Sequence, residues 1–443
     1  MTTAFVRSIL DLPLDAKTKG IPLVDRTVSI AEVGRQGWNV LRGDMILPLL
    51  VVREERMNTN LRIMRDFAEH HGVSLAPHGK STVCPQLYLD QMDIGGCWGL
   101  TAATVQQAAV VAATGIPNIV IANEVVSRAN IEQLAALKRA FPATAIYSLV
   151  DSPETVEQLA VFGGNKLGGL RFQVLIEVGY AGGRTGARTM AQVERVLAAV
   201  QARAGVLELA GIECYEGTIN LPDPGETIVA VDKFLDFALA ALERAREAGA
   251  LAGRDEVLLT AGGSAYFDRV VTKFKPALAR GKTRIALRGG SYLTYDHGFY
   301  KKKLRDLDAR GGLEGKQGHI TASLAFLPAL ELFAMVESQQ DPGVAILTMG
   351  IRDLPYDLGY PIPLRQYRDG KLLHDLEKEG PDVRITNSND QHCYLAFPPG
   401  MDLRIGDVFA CGISHPCTAF DKWDVLYRVD EAFNVTGALK TFF

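Results

Sequence analysis

A lysine and a histidine–cysteine pair are the side chains in this 443-residue sequence best suited to chemistry. Lys80 follows a short apolar run, and a lysine at the carboxyl end of a strand can hold a cofactor or act as a base. His415 and Cys417 lie two positions apart, so in an extended segment they project to the same side. Imidazole nitrogen and thiolate sulfur are ligands that suit zinc. Taken alone, a loop lysine is more often solvated, and a two-residue motif is more often incidental.

Two glycine-rich turns and an arginine loop follow later apolar runs. In Thr260-Ala-Gly-Gly-Ser264 and in Arg288-Gly-Gly-Ser291, followed by Tyr292, small residues let backbone N–H groups approach a phosphate, and the serines add hydroxyl donors. In Gly182-Gly-Arg184-Thr-Gly186 the guanidinium could bind a carboxylate or a phenolate in forked geometry. Each glycine alone is more often turn chemistry. A lysine together with two phosphate-type turns in one domain is less ordinary.

Alternating short β-rich runs and longer helical patterns position these residues. Such alternation predicts repeated βα units around a parallel sheet. No Gly-x-Gly-x-x-Gly turn follows the early strands, which favours a closed (β/α)8 barrel over an open doubly wound sheet. The predicted strands are 73–78, 97–101, 118–122, 144–150, 170–178, 208–215, 256–260 and 283–287, and the predicted helices include 104–114, 127–140, 153–162, 190–204 and 226–248.

The character of the sequence changes after residue 318, where short apolar runs are broken by glycine and proline. This pattern predicts an all-β domain that carries the histidine–cysteine pair. The predicted organisation is a 1–46 amino-terminal segment that packs with the β domain, a 47–317 barrel and a 318–443 β domain. A length of 443 residues suits a barrel of roughly 250 residues plus a second domain.

Composition excludes several classes of function. Hydrophobic residues make up 47% and charged residues 22%, ordinary values for a globular protein with a sizeable core. The net charge of −4, without a long basic run, excludes a nucleic-acid surface and an anionic membrane surface, so a small-molecule substrate is expected. The first residues lack the pattern of an export signal, which predicts a cytoplasmic protein. In that reducing compartment the six cysteines are expected to be free thiols, buried fillers or metal ligands.

With these motifs in hand, the sequence resembles the pyridoxal-phosphate enzymes of the alanine racemase fold, and within them the D-threonine aldolase and D-serine dehydratase group. The resemblance rests on Pro77-His78-Gly79-Lys80, the Gly-Gly-Ser264 turn, Arg288-Gly-Gly-Ser291-Tyr292 and His415-Pro-Cys417. It implies that Lys80 carries pyridoxal 5′-phosphate and that His415 and Cys417 hold Zn²⁺ or another divalent metal. The remaining cofactor contacts implied by the resemblance are His78, Arg184, Tyr215, Gly263, Ser264, Arg288, Gly290, Ser291 and Tyr292.

The sequence also departs from the family pattern. The Lys-Thr-His of that group is Lys80-Ser-Thr82 here, and the usual spacing of its arginine motif is altered around Glu177, Gly179 and Arg184. The resemblance implies a homodimer and a lyase that dehydrates D-3-hydroxy amino acids, with D-serine giving pyruvate and ammonia. Retro-aldol cleavage, racemisation and a pyridoxal-phosphate-binding protein without turnover stay open as alternatives. The thiolate of Cys417 favours a borderline-soft ion, and through it dehydration.

Overall fold

Eight parallel strands form a near-closed barrel in the computed structural model, which describes residues 3–23, 25–380 and 382–443. Each strand pairs with the next along the chain from the second onward, and the last pairs with the first. A parallel bridge between His78 and Thr101 joins the first strand to the second and brings the sheet round on itself. The strands are Ser74–Leu75, Leu100–Ala102, Asn118–Glu124, Ala145–Val150, Phe172–Val178, Leu207–Cys214, Val257–Ala261 and Thr283–Leu287. The predicted barrel is therefore confirmed.

Amphipathic helices cover the outside of the barrel, and their ends follow the sequence. Thr104, Ser127 and Thr189 each accept a hydrogen bond from a backbone N–H three residues on, which satisfies an N-terminal donor of the helix. Gly115 ends one helix at φ +95°, a conformation that glycine adopts without strain. The helices are Glu54–His71, Pro85–Asp93, Val105–Thr114, Arg128–Ala140, Pro153–Gly163, Met190–Ala202, Pro224–Glu247, Phe267–Leu278 and Phe299–Ala309, with short ones at Ala4–Leu10, Ala322–Ala325 and Leu376–Glu379.

The second domain is a mostly antiparallel sheet, as its broken apolar runs predict. Four of the seven residues of Ile362–Arg368 and four of the five of Val408–Gly412 are buried, and a β-bulge shifts the register where these strands pair. The strands are Leu330–Ser338, Val344–Leu347, Ile362–Arg368, Lys371–Asp375, Arg384–Ser388, Cys393–Ala396, Val408–Gly412, Val425–Val429 and Val435–Lys440. Small two-stranded pairs form at Pro13–Leu14 with Val28–Ser29 and at Leu313–Gly315 with Gly318–Ile320.

The run Leu49–Arg53 lies in the second domain's sheet. The predicted barrel boundary at residue 47 places this run in the barrel instead. The run pairs antiparallel with Leu330–Ser338 and parallel with Val425–Val429. All five residues are buried, so the run is apolar on both faces like a barrel strand and its sequence does not reveal which sheet it joins. Residues of the preceding segment, among them Ile21 and Val33, share an apolar core with this sheet.

The segment after the last barrel strand connects the barrel to the histidine–cysteine motif. The backbone N–H of His297 donates to the Ile413 carbonyl at 3.0 Å, and that of Phe299 donates to the Ser414 carbonyl at 3.3 Å. These bonds place the His-Pro-Cys turn over the carboxyl ends of the barrel strands. None of the helices in the described ranges is long and apolar enough to cross a membrane.

Candidate active site

A cavity of about 360 Å³ opens at the carboxyl ends of the barrel strands, beneath the His-Pro-Cys turn. Its volume falls in the usual range for small-molecule sites. Eleven of the twelve residues singled out from the sequence line it. These are His78, Lys80, Arg184, Tyr215, Gly263, Ser264, Arg288, Gly290, Ser291, His415 and Cys417.

Lys80 stands on a short 3-10 turn, Gly79–Ser81, which follows the first barrel strand. The Tyr88 hydroxyl donates to the Gly79 carbonyl at 3.0 Å and fixes this turn from below. Burial within the walls of the cavity lowers the pKa of Lys80, the Cys417 thiolate opposes that shift, and nearby arginines add to it. The shift favours a neutral amine, the form that attacks an aldehyde or accepts a proton.

The two glycine-rich turns face each other across one wall of the cavity. A Cβ added to Gly290 would lie 2.4 Å from the His78 carbonyl oxygen, so only glycine lets this turn approach the lysine segment. Within the described ranges, the backbone N–H groups of Ser264, Gly290 and Ser291 donate to no protein acceptor. Three free donors and two serine hydroxyls make a cradle for a phosphate group.

Two predicted residues contribute differently from the expectation. The N–H of Gly263 donates to a carboxylate oxygen of the buried Glu216 at 2.6 Å, so that donor shapes the turn instead of facing the cavity. Tyr292 is the one predicted residue absent from the cavity lining. Its buried hydroxyl lies 3.7 Å from the sulfur of Cys97, so only its backbone can serve the site.

Arg184 lies over the ring of Tyr215, with its guanidinium carbon 4.8 Å from the ring centroid. Its loop is fastened by Arg188, whose guanidinium donates to the Gly186 carbonyl at 2.6 Å and to the Arg184 carbonyl at 3.0 Å. In the described part of the chain the Arg184 guanidinium has no carboxylate partner. It is therefore a cation available to a ligand.

Arg288 points inward and is already neutralised. Its guanidinium donates to a carboxylate oxygen of Glu213 and to the Cys214 carbonyl at 2.8 Å. Burial raises the pKa of Glu213 and the Arg288 cation opposes that shift; since a buried guanidinium keeps its charge, the ionised carboxylate is the form that completes the pair. We did not single out Glu213 from the sequence, although it lies two residues before Tyr215 at a strand end and so projects to the same side.

A second carboxyl group, Glu177, lines the cavity, and Glu124 lies beside it. Glu177 accepts a hydrogen bond from the Thr185 hydroxyl at 2.7 Å, and its other oxygen is buried without a partner in the described structure. Burial, together with the hydrogen bond and charge of Glu177, raises the pKa of Glu124 to about 9. Glu124 is therefore expected to keep its proton at neutral pH.

The His-Pro-Cys turn holds its two side chains in a polar network. His415 Nδ1 lies 2.6 Å from a carboxylate oxygen of Asp357, which also accepts from the Thr418 hydroxyl at 2.7 Å. The Cys417 sulfur accepts a hydrogen bond from Ser81, next to the lysine, at 3.3 Å. Burial raises the pKa of Cys417, but the His415 and Ser81 hydrogen bonds outweigh it and lower the pKa overall.

This network contains two side chains of types that can bind a metal, and a carboxylate that orients the imidazole as one commonly does around metal-binding histidines. Among the described residues, no group of three or more histidine, cysteine, aspartate or glutamate side chains is placed to hold a metal. Asp357 was not foreseen, because 58 residues separate it from His415 and no spacing links them. Tyr300, also unforeseen, lines the cavity with its ring centroid 6.4 Å from that of His415.

A larger cavity, about 540 Å³, lies beside the residue 295–297 segment at the boundary of the two domains. It contains Asp296 and His297 but neither the lysine nor a glycine-rich turn. Volume alone is therefore a poor guide in this protein. The smaller cavity is the one that combines an amine, phosphate-type donors and candidate metal ligands.

Two family models and several known proteins are similar to this chain. Residues 52–268 match the family described as alanine racemase, N-terminal domain, and residues 329–429 match the putative serine dehydratase domain. The D-threonine aldolase of Arthrobacter sp is 27% identical over 408 residues, which cover 92% of this chain and 94% of that protein. The crystal structure of D-threonine aldolase from Filomicrobium marinum superposes with a TM-score of 0.71 at 25% identity, covering 91% of this chain and 97% of that one.

A D-threo-3-hydroxyaspartate dehydratase, solved as a cysteine-to-alanine mutant in the metal-free form, superposes with a TM-score of 0.68 at 21% identity. The superposition covers 91% of this chain and 99% of that one. With an alanine racemase-type barrel and a dehydratase-type second domain, the chain belongs to the fold-type III pyridoxal-phosphate enzymes. Within that family it is a lyase.

The residues in the cavity fit this cofactor. Lys80 offers the amine for the aldehyde, the two serine turns offer free donors for the phosphate, and Tyr215 offers a flat aromatic face. The fit rests on groups whose donors and charges are otherwise unsatisfied in the described structure, above all the N–H groups of Ser264, Gly290 and Ser291.

Proposed function

We propose that this lyase dehydrates D-3-hydroxy amino acids, with D-serine as the substrate that yields pyruvate and ammonia. The proposal depends on one observation above all: Cys417 lies within hydrogen-bond distance of Ser81, the neighbour of Lys80, so candidate metal ligand and lysine share one cavity. One substrate in this cavity could therefore react at Lys80 while its 3-hydroxyl faces the His-Pro-Cys turn.

The lysine moves the proton. Lys80 Nζ is the base for the proton on the α-carbon, and its lowered pKa favours the neutral form that accepts this proton. The cofactor, when bound, supplies an electron sink for the pair left at the α-carbon. Arg184 and the free donors of the serine turns orient the charged groups around that carbon.

The His-Pro-Cys turn bears on the outcome at the β-carbon. We propose that His415 and Cys417 hold Zn²⁺, with Asp357 fixing the imidazole through Nδ1 and leaving Nε2 for the ion. Zinc bound there would supply Lewis-acid stabilisation to the departing 3-hydroxyl. The α C–H and β C–O bonds break with loss of one water, and the aminoacrylate released then takes up water to give a 2-oxo acid and ammonia.

A thiolate ligand favours this reaction over its main competitor. Zinc is borderline soft and binds sulfur well, whereas a hard divalent ion would prefer oxygen ligands. The metal-free form of the related dehydratase is a cysteine mutant, which fits a metal-binding role for Cys417. The same proposal includes a homodimer, on the family resemblance alone, and a cytoplasmic location, on the sequence of the first residues.

Retro-aldol cleavage is the second candidate, favoured by the 27% identity to a D-threonine aldolase over 92% of this chain. In that reaction the proton leaves the 3-hydroxyl and the Cα–Cβ bond breaks, so D-threonine gives glycine and acetaldehyde. The two reactions share a cavity and differ in the proton that is removed and in the bond at the β-carbon that breaks.

Product analysis separates the two candidates. Purified enzyme with pyridoxal phosphate and Zn²⁺ is incubated with D-serine and with D-threonine, and pyruvate, 2-oxobutanoate, glycine and acetaldehyde are quantified. We expect oxo acid and ammonia in equal amounts, with the Lys80→Ala variant as background. Glycine and aldehyde without oxo acid would replace dehydration by the aldolase reaction.

A further inference from the structure

The charges that line the cavity bear on which side chain the substrate can carry. Five basic side chains line it: His78, Lys80, Arg184, Arg288 and His415. A substrate with one carboxylate needs one of these as a partner, and a dicarboxylate such as 3-hydroxyaspartate needs two. The availability of each cation can be read from its contacts.

Three of the five are not available. The Arg288 guanidinium is paired with the buried Glu213. The His415 imidazole is already engaged by the Asp357 carboxylate, 2.6 Å from its Nδ1. The His78 ring lies against the Thr101 carbonyl at 3.1 Å, and burial lowers its pKa well below the ordinary value, which leaves it neutral.

The remaining two cations are Lys80 and Arg184. On the proposed function, Lys80 is committed to the cofactor, and its pKa is lowered in any case. Arg184 has no carboxylate partner in the described residues and can serve one anionic oxygen pair. Whether that pair belongs to the substrate's α-carboxylate or to the cofactor's phenolate, no cation of the lining is left for a second substrate carboxylate.

A carboxyl group in the lining adds repulsion. Glu177 faces the cavity, makes no ion pair in the described structure, and has one buried oxygen without a hydrogen-bond partner. On the proposed function, a metal held at the His-Pro-Cys turn would be engaged by the 3-hydroxyl.

We infer that the substrates of this enzyme are D-3-hydroxy amino acids whose side chain carries no negative charge, and that the site discriminates against a β-carboxylate. The inference rests on the proposed function for the 3-hydroxyl, but the discrimination itself concerns binding. It separates this chain from dehydratases that act on 3-hydroxyaspartate, with which it shares the fold. Leaving one carboxylate unpaired beside Glu177 is expected to weaken binding on the order of 100-fold.

The test uses ligands that lack the 3-hydroxyl and so bind without undergoing either reaction. The cofactor-loaded enzyme is titrated with D-alanine, D-asparagine and D-aspartate, and the shift of the cofactor absorbance gives each dissociation constant. D-Asparagine matches D-aspartate in size and differs in charge. We expect D-asparagine to bind within a few-fold of D-alanine and D-aspartate on the order of 100-fold more weakly than D-asparagine.

Two results would overturn the inference. Equal affinity for D-aspartate and D-asparagine would mean that a cation of the site accepts the second carboxylate. Equally poor binding of D-asparagine and D-aspartate would mean that size, not charge, limits the side chain. Turnover of D-serine, D-threonine and 3-hydroxy-D-aspartate is measured separately. No turnover of any of them would end the proposed function and leave the binding comparison intact.

Discussion

The close approach of Gly290 to the lysine segment gives a sharp test of the phosphate cradle. In the Gly290→Ala variant, the new Cβ would lie 2.4 Å from the His78 carbonyl oxygen and 3.1 Å from its backbone nitrogen. Real Cβ contacts stay above about 3.0 Å, so one of the two segments must move by about 0.6 Å. The backbone at Gly290, φ −110° and ψ −22°, is open to alanine, so the effect is steric and not conformational.

Overpacking against backbone costs roughly 1–3 kcal/mol in well-packed proteins. Because the displaced segment carries Lys80 two residues on, we expect the Gly290→Ala enzyme to bind pyridoxal phosphate about tenfold to a hundredfold more weakly, at about 1.4 kcal/mol for each factor of ten. The melting temperature of the apoenzyme should fall by a few degrees. Cofactor titration by absorbance and thermal unfolding measure both effects.

The matched control is Gly205→Ala, where an added Cβ meets no atom within 4 Å. That variant should bind cofactor like the wild type. If Gly290→Ala retained wild-type cofactor affinity while Gly205→Ala behaved as expected, the two turns would not form the phosphate cradle, and the reasoning from their proximity would fail.

Further predictions concern four side chains. Lys80→Ala should lose the pyridoxyl label that borohydride leaves on the wild-type peptide, and turnover should fall by at least about 10³-fold. Cys417→Ala should lose bound zinc by mass spectrometry and its oxo-acid production, while cofactor loading persists. Arg184→Gln should bind D-alanine on the order of tenfold more weakly, with exposed Arg195→Gln as the control. The pKa of Glu124 is raised from 4.5 to about 9, so between these values the folded chain keeps a proton that the unfolded chain loses. Stability should therefore fall as the pH rises from about 5 to 9. The Glu124→Gln variant should flatten this fall, as measured by urea unfolding across that pH range.

The barrel could be predicted because its strands and helices differ in both period and length. Strand runs such as Phe172–Val178 are short and apolar, and they alternate with long helical patterns that begin at capping residues such as Ser127. The run Leu49–Arg53 could not be placed in the same way. It is short, apolar and buried on both faces, properties shared by strands of either sheet, and only pairing partners nearly 300 residues away decide its position.

The candidate site divides in a similar way. Lys80 and the serine turns were identifiable because local spacing and strand-end position are visible in sequence. Asp357 was not, because its role comes from a single contact with a residue 58 positions away. Gly263 was assigned to the right turn, but the direction of its N–H depends on Glu216, a carboxylate 47 positions away. Residue types and spacings that suit a reaction can be identified from the sequence, whereas the partners of buried polar groups depend on how distant segments pack.

The two domains that build the site are held together by an ion pair at their boundary. Arg56 lies in the first barrel helix, and its guanidinium pairs with the buried Glu331 of the second domain's sheet at 3.4 Å. Since removing one partner of a buried ion pair leaves an uncompensated charge, this junction resists separation. Lys80 belongs to the barrel and Cys417 to the second domain. The segments that carry them meet at the domain boundary, where Ser81 contacts Cys417. A cut at residue 47 or 318 would therefore separate side chains that the proposed reaction needs together. In that reaction, proton removal depends on Lys80 of the barrel and hydroxyl departure depends on Cys417 of the second domain.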